Sequence, residues 1–369
     1  MTLPWTAITG EAEIPSPALV IDLGAVRENV EQMIRIAGGA SRLRPHIKTH
    51  KLLQLVQLQV SLGISKAKCA TIAEAELAAL GGCTDILLAN QPVGPNAGRL
   101  AQLAAAFPDA QFRTIIDDAR IARPLSAAAS RCDVRIGLLI DLDVGQHRTG
   151  IAPGPEALQL AKELTALPQL TLDGLHAYDG HIHQTDLASR RAAADEARGL
   201  VLGFRDQLRA AGIAAPLIVI GGTPTFPMHA ASADVECSPG TSVLWDAGYA
   251  TRFPDLDFKI AAAILTRVLS RPLPNRVCLD LGHKAVASEM PHPRVFFPAL
   301  PDAQVAAHNE EHLVLETAQP SNLRPGDLLY GIPWHICPTM ALHNAVHIVR
   351  NGRLAEEWPV MARQRKLTF

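Results

Sequence analysis

The chain has 369 residues, 48% hydrophobic and 19% charged. That charged share lies below the ~25% usual for globular domains, which excludes a disordered chain. The net charge of −2 excludes the basic footprint of a nucleic-acid binder. No apolar run reaches the roughly 18 residues of a membrane span. The opening MTLPWTAITGEAEIP has neither the basic start nor the apolar core of an export signal. A cytoplasmic protein is therefore expected. The six cysteines, at 69, 83, 132, 237, 278 and 337, form no CxxC pair and read as reduced thiols.

In chain order, ALVIDLGAV (18–26) comes first, as a strand of a second domain or a lead-in to the first. Eight short apolar runs follow: RLRPHIK (42–48), AKCATI (67–72), DILLAN (85–90), FRTIID (112–117), VRIGLLIDL (134–142), LTLDGLHAYD (170–179), PLIVIGG (216–222) and DVECSPGT (234–241). They are near-continuous rather than alternating, as parallel strands buried on both faces are. Helical patterns lie between them. LLQLVQLQVSLG (52–63) and AEAELAALGG (73–82) stop at Gly, PEALQLAKELTALP (155–168) starts at Pro, and 187–212 is long and rich in Ala and Arg. Eight strand–helix units predict an α/β fold, a (β/α)8 barrel, with a doubly wound open sheet as the alternative.

Past about residue 250 the texture changes. FKIAAAILTRVLS, RVCLDLG, RVFFPAL, HLVLE and GDLLYGIP are separated by turn-forming residues, and Asn351-Gly352 divides HIVRNGRLAEEWPV as a hairpin. A barrel over 16–248 followed by a mostly β domain over 249–369 is expected, with residues 1–15 packing on the β domain.

Barrel chemistry sits at the C-terminal strand ends. Here those ends carry Lys48, Asn90-Gln91, Asp117, DLDVGQHRTG, Tyr178-Asp179-Gly180-His181-Ile182-His183, Gly221-Gly222-Thr223 and Pro239-Gly240-Thr241. The GGT and PGT ends offer backbone amides and hydroxyls to a phosphate; otherwise they are ordinary strand-ending turns. His46, Lys48 and His50 stand at two-residue spacing, which on a strand is one face. A lysine drawn into the barrel loses its proton more easily and attacks carbonyls. The alternative is a solvated basic loop. His335 and Cys337, two apart on an extended segment, would aim imidazole and thiol at one point, a donor pair for zinc or a similar ion with room left for substrate.

SPALVIDLGAV, RPHIKTHK, CATIAEAE, DILLANQPVG, DVGQHRTGI, HAYDGHIH, GGTPT, SPGT and IPWHICPT, in this order, resemble the D-threonine aldolase/D-serine dehydratase family, pyridoxal-phosphate enzymes related to alanine racemase. The resemblance covers about residues 15–365. It implies a cofactor barrel followed by a β domain, acting as a homodimer on a small D-amino acid. It makes Lys48 the Schiff-base lysine. Gly222, Thr223, Gly240 and Thr241 become phosphate ligands, and Gln91, Arg148 and Tyr178 cofactor contacts. His335 and Cys337 become ligands of a divalent metal (Zn, Mn or Mg). The implied activity is cleavage of a D-3-hydroxy amino acid to glycine and an aldehyde, with His181 or His183 as the base for the hydroxyl proton. The alternative is dehydration of D-serine or a 3-hydroxyaspartate to a 2-oxo acid and ammonia. Ser238 stands where racemases carry an arginine before the PG of the eighth strand, which weighs against racemization.

Overall fold

The computed structural model describes residues 1–3, 5 and 7–369. The chain divides into two compact units. One comprises 1–32, 49–52 and 241–363; the other comprises 33–48, 53–240 and 364–369.

In chain order the elements begin with β1 (Ala18–Asp22) and α1 (Leu23–Ala37). Then come α2 (Leu53–Ser61), β2 (Lys66–Cys69), α3 (Ile72–Leu80), β3 (Asp85–Leu88), α4 (Asn96–Ala106), β4 (Gln111–Ile116) and α5 (Ala119–Cys132). They continue with β5 (Ile136–Leu142), α6 (Pro155–Thr165), β6 (Leu170–Ala177), α7 (Leu187–Ala210), β7 (Leu217–Ile220), α8 (Phe226–Ala230) and β8 (Glu236–Cys237).

Strands β2 to β8 form one parallel sheet in sequence order. The predicted first strand is irregular. Residues 43–46 close the ring by isolated parallel bridges from Leu43 to Cys237 and from His46 to Lys68. Arg44 N–H donates to Cys237 O, His46 N–H to Pro239 O and Lys68 N–H to Pro45 O, each at 2.9 Å. Pro45 has no N–H to give, so regular pairing cannot run through it. The ring closes, which excludes the doubly wound alternative. DVECSPGT shortens to a two-residue strand. All seven residues of β5 are buried, as a strand covered on both faces requires. Along α7 the buried residues Arg190, Ala194, Ala197, Val201, Phe204 and Leu208 recur every three or four positions, one stripe of a helix.

The N-terminal mouth of this barrel is filled with paired charge. Arg44, fully buried, is gripped by both carboxylate oxygens of Asp85 at 2.7 and 2.8 Å and by Glu236 at 2.8 Å. Arg113 links Asp85 to Asp173. Asp85 opens β3 and Glu236 opens β8, so the network plugs that end and leaves chemistry to the other.

The second unit is mostly β. Its remaining elements are α9 (Ala247–Arg252), β9 (Ala262–Leu273), β10 (Arg276–Leu279), β11 (Val295–Phe296), β12 (Gln304–His308), β13 (Leu313–Glu316), β14 (Leu328–Pro333), α10 (Ile336–Leu342), β15 (Ala345–Arg350) and β16 (Arg353–Pro359). The sheet order is β12-β13-β10-β9-β1-β15-β16, with β14 joining β9 and β11. β1 is thus a strand of this sheet, parallel to β15 and antiparallel to β9. Asn351 and Gly352, at φ 51° and 72°, make the β15–β16 turn, a left-handed pair that Asn-Gly tolerates. Trp5, Ile8 and Ile14 pack with Ala18, Val20, Ala263, Leu265 and Val349. Among the described residues no helix is long and apolar enough to cross a membrane. Among the described residues none of the six cysteines is in a disulfide.

Candidate active site

Lys48 lies not on a strand but in a 3-10 turn, Ile47–Thr49, directly after the segment that closes the barrel. The expectation of one basic face across His46, Lys48 and His50 is corrected here, because the turn breaks the two-residue alternation. His50 is fully buried and its Nδ1 accepts from Leu52 N–H at 3.2 Å. Burial, aided by the charge of Lys51, pulls its pKa down to about 3. Unfolding returns it toward 6.5, so the unfolded state binds one more proton between those values. This contribution is intact above about pH 6.5 and is lost at about 1.4 kcal/mol per unit as pH falls toward 3. In urea titrations between pH 7 and 4, His50→Gln should lose stability less steeply than the wild type; equal slopes would remove His50 as the acid-sensitive group.

At the C-terminal strand ends polar side chains pair in two groups. Gln91 Nε2 donates to Asp117 at 2.8 Å and to Asp141 at 3.1 Å. Asp141 pairs with buried His176 Nδ1 at 2.6 Å. Buried Asp179 pairs with His229 Nε2 at 2.7 Å. Asp179 Oδ1, His176 Nε2 and His229 Nδ1 are buried without a hydrogen-bond partner. Burial would raise the Asp141 carboxyl, but His176 and the Lys68 charge outweigh it and hold it below the usual range.

Tyr178, just past β6, is flanked by cations. The exposed Arg148 guanidinium lies 5.0 Å from its ring centroid and the Lys68 ammonium 5.6 Å. Gly180 makes room for this ring, since a Cβ there would fall 2.3 Å from Tyr178 Cε1. Gly180→Ala should therefore cost about 1–3 kcal/mol of stability by overpacking, read as a lowered urea midpoint. An unchanged midpoint would mean that the ring moves aside freely.

The glycine ends differ in detail from a row of open amides. Gly222 N–H is taken by Thr225 Oγ1 at 3.3 Å and Gly240 N–H by Thr223 Oγ1 at 3.1 Å. Thr223 thus ties the end of β7 to the segment after β8. Thr241 is the first residue of the β unit's third segment, and its hydroxyl lies 3.5 Å from Cys337 Sγ. Ser238 donates to Arg44 O at 3.1 Å.

The two candidate base histidines separate clearly. His183 is exposed. His181 is half-buried, and its Nδ1 is buried without a partner. Its Nε2 lies 2.9 Å from where a Cβ on Gly145 would stand, so the DVGQHRTG loop closes on the imidazole only because that residue is glycine.

In the β unit, His335 occupies the N-cap position of α10 without a side-chain cap, and Cys337 lies in its first turn, which corrects the expected extended geometry. The pair still meets. Burial alone would lower the His335 pKa, but the hydrogen bond and charge of Cys337, the Glu289 carboxylate and Asp246 raise it to about 9. Glu289 Oε1 holds His335 Nδ1 at 2.5 Å, and Thr49 Oγ1 lies 3.2 Å from Cys337 Sγ. Glu289 lies 46 positions from His335, and no local pattern marks it. Among the described residues no group of three His, Cys, Asp or Glu side chains converges as a metal cage. The donor set is one imidazole and one thiol, chemically suited to a soft divalent ion that keeps open positions.

Comparison with known proteins gives the family. Residues 21–246 match the alanine racemase N-terminal domain and residues 261–349 a putative serine dehydratase domain. The chain is 32% identical to a D-threonine aldolase of Arthrobacter sp. over 98% of its own length and 97% of that protein's. It is 32% identical to a 3-hydroxy-D-aspartate aldolase of Paracoccus denitrificans (strain Pd 1222) over 96% and 93%. The solved D-threonine aldolase of Filomicrobium marinum superposes with a TM-score of 0.89 at 29% identity, covering 98% of this chain and 99% of that one. The chain belongs to the D-threonine aldolase/D-serine dehydratase family of lyases, built on the alanine racemase fold.

Proposed function

We propose that this protein is a pyridoxal-phosphate- and divalent-metal-dependent aldolase that cleaves D-3-hydroxy amino acids such as D-threonine to glycine and an aldehyde. Family membership implies the cofactor, and the barrel end fits it. Lys48 offers an amine for its aldehyde, Tyr178 and Arg148 an aromatic and cationic wall, and the linked Gly222–Thr223 and Gly240 loops a place for its phosphate. Unpartnered Asp179 Oδ1 and His176 Nε2 are polar atoms that a bound polar group or water completes. When bound, pyridoxal phosphate supplies an electron sink for the bond broken at Cα. His335 and Cys337 would hold the metal, whose contribution there is Lewis acidity toward the substrate hydroxyl.

The observation that favours aldol cleavage is His181. Cleavage of Cα–Cβ requires a base for the 3-hydroxyl proton, and His181 has a ring nitrogen free of any protein partner at the barrel's working end. Gln91 donates to Asp117 and Asp141, and Asp141 holds His176 Nδ1, so these side chains support one another. The test supplies purified protein with pyridoxal phosphate, divalent metal and D-threonine, and identifies products by mass spectrometry. Glycine with acetaldehyde is expected. 2-Oxobutyrate with ammonia would replace this reading by the dehydratase, with Lys48 as the base at Cα. Neither product from D-threonine, D-serine or 3-hydroxyaspartate would overturn the substrate class.

A further inference from the structure

The barrel holds a second lysine at the same end, and nothing above gives it a task. Lys66 and Lys68 share one face of β2. Lys66 serves the charge network at the closed mouth, where its ammonium meets Glu236. Lys68 stands one layer further along, 3% exposed, beside the segment that delivers Lys48. Buried lysines are ordinarily paired. Among the described residues no hydrogen bond or ion pair engages the Lys68 ammonium, which lies 5.6 Å from the Tyr178 ring centroid. The nearby carboxylates are committed elsewhere, Asp141 to His176 and Gln91, and Asp179 to His229.

We propose that Lys68 is a second carbonyl-reactive amine of this site, able to capture an aldehyde ligand in its own right when Lys48 is absent. The inference rests on reading this barrel end as the site of an aldehyde cofactor. The groups facing Lys68 decide its charge. Burial and the ammonium of Lys48 drive its proton off, Arg148 adds to that, and Asp141 and Asp179 oppose it only in part, leaving its pKa at about 7. Near neutral pH its neutral amine is then on the order of a thousandfold more abundant than that of an ordinary lysine. The step is imine formation. The amine nitrogen bonds to the carbonyl carbon, gives up its two protons, and the carbonyl oxygen leaves as water.

The test uses full-length protein, one equivalent of pyridoxal phosphate, borohydride reduction of the C=N bond, and peptide mass mapping. Lys48→Arg is the informative variant, because it keeps the neighbouring positive charge but cannot form an imine. Wild type should carry the adduct on Lys48. Lys48→Arg should carry it on Lys68, with a labelling midpoint near pH 7, and Lys48→Arg/Lys68→Met should carry none above the surface lysines. A folded Lys48→Arg protein, checked by its melting curve, with Lys68 labelled no more than surface lysines would overturn the proposal. If that variant does not fold, Lys48→Ala is mapped under the same criterion. An unlabelled Lys48 in wild type would instead overturn the cofactor reading, while the Lys68 adduct in the variant still decides this one.

Discussion

Lys48→Ala should lower kcat with D-threonine by at least about 10³-fold, equivalent to about 4 kcal/mol at the transition state. The expectation follows from placement. Lys48 sits in a turn rather than a ladder, so its amine is set by the chain leaving the closing segment and not by strand pairing. No other lysine is delivered from that point. Lys68 reaches the same end from β2, but from a different strand and against the Tyr178 ring. Capturing the cofactor from there changes its attachment and is not expected to restore turnover, because transition-state stabilisation depends on sub-ångström placement. Product release is followed at saturating pyridoxal phosphate, and a small primary amine is added to replace the missing side chain. Activity within tenfold of wild type, without added amine, would remove Lys48 as the cofactor lysine.

The barrel was legible because its strands are near-continuous apolar runs separated by helices with clear stops. VRIGLLIDL reads as a buried strand, and β5 is buried throughout. The hairpin at Asn351-Gly352 was equally plain, since few other dipeptides accept two consecutive left-handed residues. Two elements were not legible as they stand. RLRPHIK reads as a strand, but Pro45 prevents a full ladder and the chain turns at Ile47. QVAAH, which becomes β12, offers only the three-residue apolar run 305–307, and all five of its residues keep some exposure at the end of the sheet order. In the site, spacing singled out Lys48, His335 and Cys337, yet misjudged the backbone under each: a 3-10 turn at Lys48 and a helix start at His335. Lys68 and Glu289 went unnoticed for different reasons. Lys68 looks like the edge of an apolar strand unless one asks why a charged residue follows Ala67 and precedes Cys69 inside it. Glu289 acts only through a fold-level contact that no local pattern announces.

That contact supports the last prediction. Exhaustive chelation should abolish D-threonine cleavage, and added Zn²⁺ or Mn²⁺ should restore it; full activity with metal loss confirmed by elemental analysis would end the metal reading. Glu289→Gln tests the site more finely. A ligating histidine works best when its other ring nitrogen is held by a carboxylate, which fixes the ring and strengthens the donor. Glu289 holds His335 Nδ1 at 2.5 Å, and Cys337 bonds the same imidazole. Gln keeps the size of the side chain but not its charge, so the ring stays roughly placed while its donor strength falls. Metal affinity, read by equilibrium dialysis, should weaken by about 10–100-fold. His335→Ala and Cys337→Ala remove a donor outright and should weaken it further. The absorbance of bound pyridoxal phosphate should not change in Glu289→Gln, because Glu289 is not among the residues proposed to hold the cofactor. Unchanged metal affinity in Glu289→Gln would reduce Glu289 to a surface partner of His335. Unchanged affinity in all three variants would place any required metal elsewhere in the protein.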